Sequence, residues 1–85
     1  MHIAYHRNFK KTLRKQPQKI QKRFLTALRI FVADQFHYSL NNHALGGEFK
    51  GIRSFDITGD VRVHYEEIED GVVLLKIGTH SQLYG

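Results

Sequence analysis

Between residues 54 and 84 the chain gathers an acid, an arginine, two histidines and a tyrosine at spacings that could bring them together. Phe55, Ile57, Val61, Val63 and Tyr65 alternate with Ser54, Asp56, Arg62, His64 and Glu66. A strand sends alternate side chains to opposite faces, so if the first set packs on a core, Ser54, Asp56, Arg62 and His64 face away. A turn at Thr58-Gly59-Asp60 would then set Asp56 directly opposite Arg62. On the following strand, Val73, Leu75 and Ile77 are expected to extend the core. Lys76, Gly78 and His80 would fall on the open face, with Lys50 and Arg53 close by.

Each of these side chains has a use on a phosphodiester. Arg62 and Lys50 can hold a phosphate and stabilise the charge that builds on it during attack. A histidine near its ordinary pKa can take a hydroxyl proton or return one to a leaving oxygen. Tyr84 can stack on a base or donate a hydrogen bond. The same spacing also fits a plain surface ion pair between Asp56 and Arg62, worth roughly 0–1 kcal/mol. Six histidines are many for this length, yet none stands at an H-E-x-x-H or comparable spacing, and no cysteine is present. His2 and His6 lie across a strand-to-helix junction, a poor ligand geometry. A metal site is therefore not expected.

Positioning such a face requires a sheet and something to cover its back. His2–Tyr5 has strand composition. Asn8 is placed to cap a helix running to Gln16, with Phe9 and Leu13 on one face. Pro17 ends that helix and suits the first turn of a second one, where Ile20, Phe24, Ala27, Leu28 and Phe31 recur at helical spacing. From Asp34 to Gly47 the sequence is rich in turn formers. Strands follow, separated by Thr58-Gly59-Asp60 and Glu69-Asp70-Gly71. The order β-α-α-β-β-β predicts one α+β domain over residues 1–85, a helical hairpin packed on one face of an antiparallel meander.

Charge is unevenly spread. Residues 1–33 carry nine lysines and arginines and no acid, whereas residues 34–85 carry four basic and eight acidic residues. The asymmetry points to a polyanion or an acidic protein partner, or to a solvated helix face that happens to be basic. The N-terminal residues have no apolar stretch of signal-peptide length and nothing reaches membrane-spanning length, so a cytoplasmic protein with no membrane partner is expected.

Four elements, in order, resemble a known family: H-x-L-x-G from His43, K-G-x-R-S from Lys50, T-G-D-x-R from Thr58, and the terminal G-T-H-x-x-L-Y from Gly78. The chain resembles the RelE/ParE superfamily of type II toxin–antitoxin toxins over essentially its whole length. Within it, the chain looks most like the RelE/StbE and YafQ-like branch. The resemblance implies the RelE-like microbial RNase fold and a ribosome-dependent mRNA endonuclease that uses no metal and no organic cofactor. Attack by a 2′-hydroxyl would leave a 2′,3′-cyclic phosphate and a 5′-hydroxyl. It also implies a cognate antitoxin as partner, besides ribosome and mRNA.

By that resemblance His43 is a candidate general base or acid, and Asp60 matches an acid–base residue of the turn. Arg62 matches a phosphate-holding arginine, and His80 and Tyr84 match the histidine and aromatic of the C-terminal element. Lys50 and Arg53 would support the message backbone. Asp56 stands where YafQ-like toxins carry a histidine and RelE proper favours a lysine, so either it acts as a base, or it only orients Arg62, or this chain is slower than its relatives. His64 matches no family role. Lys10, Lys11, Arg14, Lys15, Lys19, Lys22 and Arg23 would dock on ribosomal RNA or accept an acidic antitoxin segment. A ParE-like gyrase inhibitor would share the fold but needs no histidines, so the H-x-L-x-G and G-T-H elements argue against it, while a catalytically weak antitoxin-binding homologue is supported only by Asp56.

Overall fold

The computed structural model describes residues 1–85, and its element order follows the apolar pattern. Strand β1 (His2–Tyr5) leads into helix α1 (Arg7–Arg14), and Pro17 opens helix α2 (Gln18–Ala33). Four further strands follow, β2 (His43–Ala44), β3 (Arg53–Asp56), β4 (Val61–Ile68) and β5 (Gly71–Thr79), and a short helix α3 (His80–Tyr84) closes the chain. The five strands form one sheet in the order β1-β5-β4-β3-β2, with β1 parallel to β5 and every other pair antiparallel. The expected α+β architecture is the observed one, extended by β2 and α3.

Helix α2 covers one face of the sheet. Phe24, Ala27 and Phe31, three and four residues apart, face inward and join Phe9, Phe55, Val63, Tyr65, Val72, Leu74 and Ile77 in a single core. Phe31 stacks on Phe55 at 4.6 Å and meets the edge of Tyr65 at 5.1 Å. Such ring pairs add roughly 0.5–1.5 kcal/mol beyond the area they bury. Helix α1 has a different task. Strand β1 ends opposite Leu74, and α1 flanks the rest of β5, where the Thr12 hydroxyl accepts from the Ile77 amide at 3.1 Å. An otherwise bare sheet edge is thereby satisfied.

Three local expectations change. The N-cap of α1 is His6, whose Nδ1 accepts from the Asn8 amide at 3.0 Å, so Asn8 sits inside the first turn. On β5 the inward residues are Val72, Leu74 and Ile77, whereas Val73 and Leu75 are only half-buried. A β-bulge causes this: Tyr65 pairs with Leu74 while His64 pairs with Lys76, leaving Leu75 as the extra residue. Alternation breaks there, and Leu75 and Lys76 both lie against the face opposite the core.

Third, His80 is not on the strand. The chain leaves β5 at Thr79, whose hydroxyl accepts from the Gln82 amide at 3.2 Å while Gln82 Oε1 accepts from the Thr79 amide at 2.9 Å. This reciprocal capping box starts α3 at His80. Gly78 is required at the crossing, because a Cβ there would lie 2.8 Å from Gln82 Oε1. The buried Leu83 anchors the helix, and Tyr84 folds back toward the sheet.

Candidate active site

The sheet face away from α2 carries two rows of side chains, fixed by register. In the first, His43 pairs with Ser54, Ser54 with His64, and His64 with Lys76, one residue from each of β2 to β5. In the second, Asp56 pairs with Arg62 and Arg62 with Gly78. The expected Asp56–Arg62 opposition is present as an ion pair, Nε to Oδ1 at 3.2 Å. Arg62 also donates to the Gly59 carbonyl at 3.3 Å, and Asn41 donates to Asp56 Oδ2 at 3.4 Å. The pair is a charge contact without hydrogen-bond geometry, since neither Arg62 Nε nor Asp56 Oδ1 has a hydrogen-bond partner, and the hydrogen bond that directs the guanidinium is the one to Gly59.

His43 lies within 2.9 Å of the Asn41 carbonyl through Nδ1. A carbonyl only accepts, so Nδ1 carries the proton and Nε2 is left as the ring's other functional atom. Asn41 itself adopts a left-handed backbone, φ 46°, that turns the chain into β2. The two-residue strand β2 lay hidden in the turn-rich segment.

The residue with no assigned role proves central. His64 is only 3% exposed, and its Nε2 lies 3.1 Å from the Tyr84 hydroxyl. Phe49 sets its ring edge against both, at 5.8 Å from His64 and 4.9 Å from Tyr84. His80 lies across Tyr84 at 4.7 Å. Burial, and then the positive surroundings of Lys76, His43 and Arg62, lower the His64 pKa from 6.5 to about 4. At neutral pH this imidazole is uncharged. A cleft of about 220 Å³ opens beside it, walled by Phe49, Leu75, Lys76 and Leu83 and by His6 and Asn8 at the start of α1.

The remaining expected residues fall in different places. Asp60 is exposed in the β3–β4 turn, and Lys50 is exposed directly after Phe49, in the loop that covers His64. Arg53 does not join the face. It pairs with Tyr65 on the core side, donates to Asn42 Oδ1 at 3.0 Å, and lies 5.2 Å over the Phe36 ring. Strand parity already separates position 53 from 54, 56, 62 and 64. Arg53 therefore pins the loop that leads into His43.

Lys10, Lys11, Arg14, Lys15, Lys19, Lys22 and Arg23 are all exposed on the helices. Two of them reach clefts. Lys15 and Lys76 share one of about 290 Å³ between α1 and α3, and Arg23 shares one of about 410 Å³ with Asp56 at the end of β3.

Lys76, Phe49 and His64 are the site residues that sequence reasoning left unassigned. The doublet Phe49-Lys50 beside a glycine offers a signal for the first wall. Thr79-x-x-Gln82 is a legible capping box and would have placed His80 on a helix.

As to chemistry, the face offers one histidine with a free Nε2, a second at the rim, an oriented guanidinium and a free lysine around a half-exposed aromatic ring. No three His, Cys, Asp or Glu side chains lie close enough to hold a metal ion. No helix is long and apolar enough to cross a membrane.

The model of the bacterial YafQ toxin family of type II toxin–antitoxin systems matches residues 1–85. A search of curated protein sequences gives no match. Among solved structures, YafQ from E. coli strain BL21(DE3) is 22% identical over 99% of this chain and 98% of that one, with a TM-score of 0.75. The toxin in the E. coli DinJ–YafQ complex is 24% identical over 99% and 98%, with a TM-score of 0.72. A chain of the RelB–RelE antitoxin–toxin complex from Methanococcus jannaschii is 16% identical over 95% and 94%, with a TM-score of 0.76.

Proposed function

Because this chain belongs to the YafQ family of type II toxin–antitoxin toxins, we propose that it is a ribosome-dependent mRNA endonuclease held in check by a cognate antitoxin. The observation that carries the reading is that His43, Arg62 and Lys76 share one sheet face, with Tyr84 of α3 folded onto it and His80 against Tyr84. A base removes the ribose 2′-hydroxyl proton, and the oxygen attacks the adjacent phosphorus. The P–O5′ bond breaks, and an acid protonates the departing 5′-oxygen. The products are a 2′,3′-cyclic phosphate and a 5′-hydroxyl.

His43 Nε2 and His80 are the two proton-transfer groups. His64, uncharged and occupied by Tyr84, is a poor candidate for either role. Arg62, paired with Asp56, meets the charge on the phosphate, and Lys76 adds a second cation beside the cleft. Tyr84 offers its ring to a base, and Asp60 and Lys50 stand at the margins. Proton transfer to and from positioned side chains contributes typically about 10²–10⁴-fold.

The basic faces of α1 and α2 suit ribosomal RNA, and an acidic antitoxin segment would compete for them. Association in either case should weaken with salt. The test is in vitro translation with purified chain. Message cut within codons on the ribosome, with cyclic-phosphate ends, supports the reading, and His80→Ala should abolish it while leaving the fold intact. Intact message together with altered DNA supercoiling would replace it with gyrase inhibition.

A further inference from the structure

We infer that His64 is a positioning residue: through its bond to the Tyr84 hydroxyl it fixes the aromatic ring against which the substrate base is placed. The inference rests on the RNA-cleaving reading above and assigns part of its geometry to a side chain outside the recognised motifs.

Tyr84 lies on a five-residue helix and is 39% exposed as a residue. The capping box and Leu83 hold the backbone of that helix, and the ring is placed by other contacts. Three groups make them. Phe49 and His80 border it at 4.9 and 4.7 Å, and His64 alone makes a polar contact, at 3.1 Å. Because a hydrogen bond is directional, it fixes where the hydroxyl end points, which edge contacts do not. His64 can serve because it comes from the middle of β4, paired on both sides, and is itself buried. The ring of a terminal helix is thus referred to the most rigid part of the molecule.

Imidazole also suits the electrostatics. Lys76 on β5, His43 on β2 and Arg62 on β4 lie near position 64, so a permanently cationic partner for Tyr84 would be repelled there, and a carboxylate would pair with those cations instead. The neutral ring bonds the phenol and leaves the positive groups free for phosphate. The Ser54 hydroxyl, next in the row, is buried without a partner and does not compete.

The test is a double-mutant cycle with His64→Leu, Tyr84→Phe and the pair, reading single-turnover cleavage of ribosome-bound message. Each single variant should slow cleavage about tenfold, and the pair no more than either, because both remove the same bond. His64→Gln, which keeps a side-chain partner for the phenol, should recover most of the rate. Ribosome affinity should not move. Independent losses that multiply, or a His64→Leu variant as fast as the parent, overturn the inference.

Imidazole ¹⁵N spectra judge the pair without any activity. The His64 signals should report a neutral ring and shift in Tyr84→Phe; signals blind to that change also overturn it. A parent chain that cuts no message, with those spectra as expected, overturns the reaction and the positioning role built on it but leaves the pair standing.

Discussion

Burial of His64 beneath Tyr84 and Phe49 makes the stability of this fold depend on pH in a way that one substitution should remove. In the folded chain the imidazole titrates at about 4, against 6.5 when free. Between those values the unfolded chain binds a proton that the folded chain refuses, so stability rises with pH. The contribution is complete above about pH 6.5 and is lost as pH falls toward 4. Two and a half decades of proton affinity correspond to about 3 kcal/mol in full, of which about 2 kcal/mol disappears between pH 7 and 5.

All other groups are common to both chains, so the informative quantity is the gap between the parent and His64→Gln. Urea unfolding followed by circular dichroism at pH 7 and pH 5 measures it. The parent's midpoint should move relative to the variant's by about 1–2 M across that interval. A gap that is the same at both pH values would refute the placement of His64 as a buried, neutral ring.

Three further outcomes follow from the geometry. Gly78→Ala should displace Gln82 and cost roughly 1–3 kcal/mol, more than the roughly 1 kcal/mol expected for loss of the Thr79 cap in Thr79→Ala, as thermal melts would show. Asp56→Ala should change stability by no more than about 1 kcal/mol, the pair being partly exposed, yet lower cleavage by freeing Arg62, so kinetics and melting should disagree. Phe31→Ala, which leaves a void between Phe55 and Tyr65, should cost about 3–5 kcal/mol in denaturant unfolding.

Much of this architecture was legible because two periods dominate it. Phe24, Ala27 and Phe31 announce α2, and alternation from Phe55 to Tyr65 announces the hairpin that sets Asp56 against Arg62. Parity states which face a residue takes but not what covers that face. His64 was therefore readable as outward-facing and unreadable as buried, since its cover comes from Phe49 and from α3. The cap at His6 was hidden for another reason: imidazole nitrogen is an uncommon acceptor at a helix start, and Asn8 is a better match to the usual preference. Arg53 lies on the core side because positions 53 and 55 share a side of the strand.

The doubled leucine of β5 has a consequence for how this domain tolerates changes in length. Leu74 faces inward and Leu75 is the surplus residue. Without Leu75 the ladder would run unbroken, with Lys76 and Ile77 keeping their present sides. The molecule would lose one wall of its cleft and some local coiling of the ribbon, while its interior stayed whole. One added residue there, by contrast, has no second kink to absorb it and would exchange the sides of everything up to Thr79. Shortening should thus be survivable where lengthening is not, which marks Leu75 as serving the cavity rather than the scaffold.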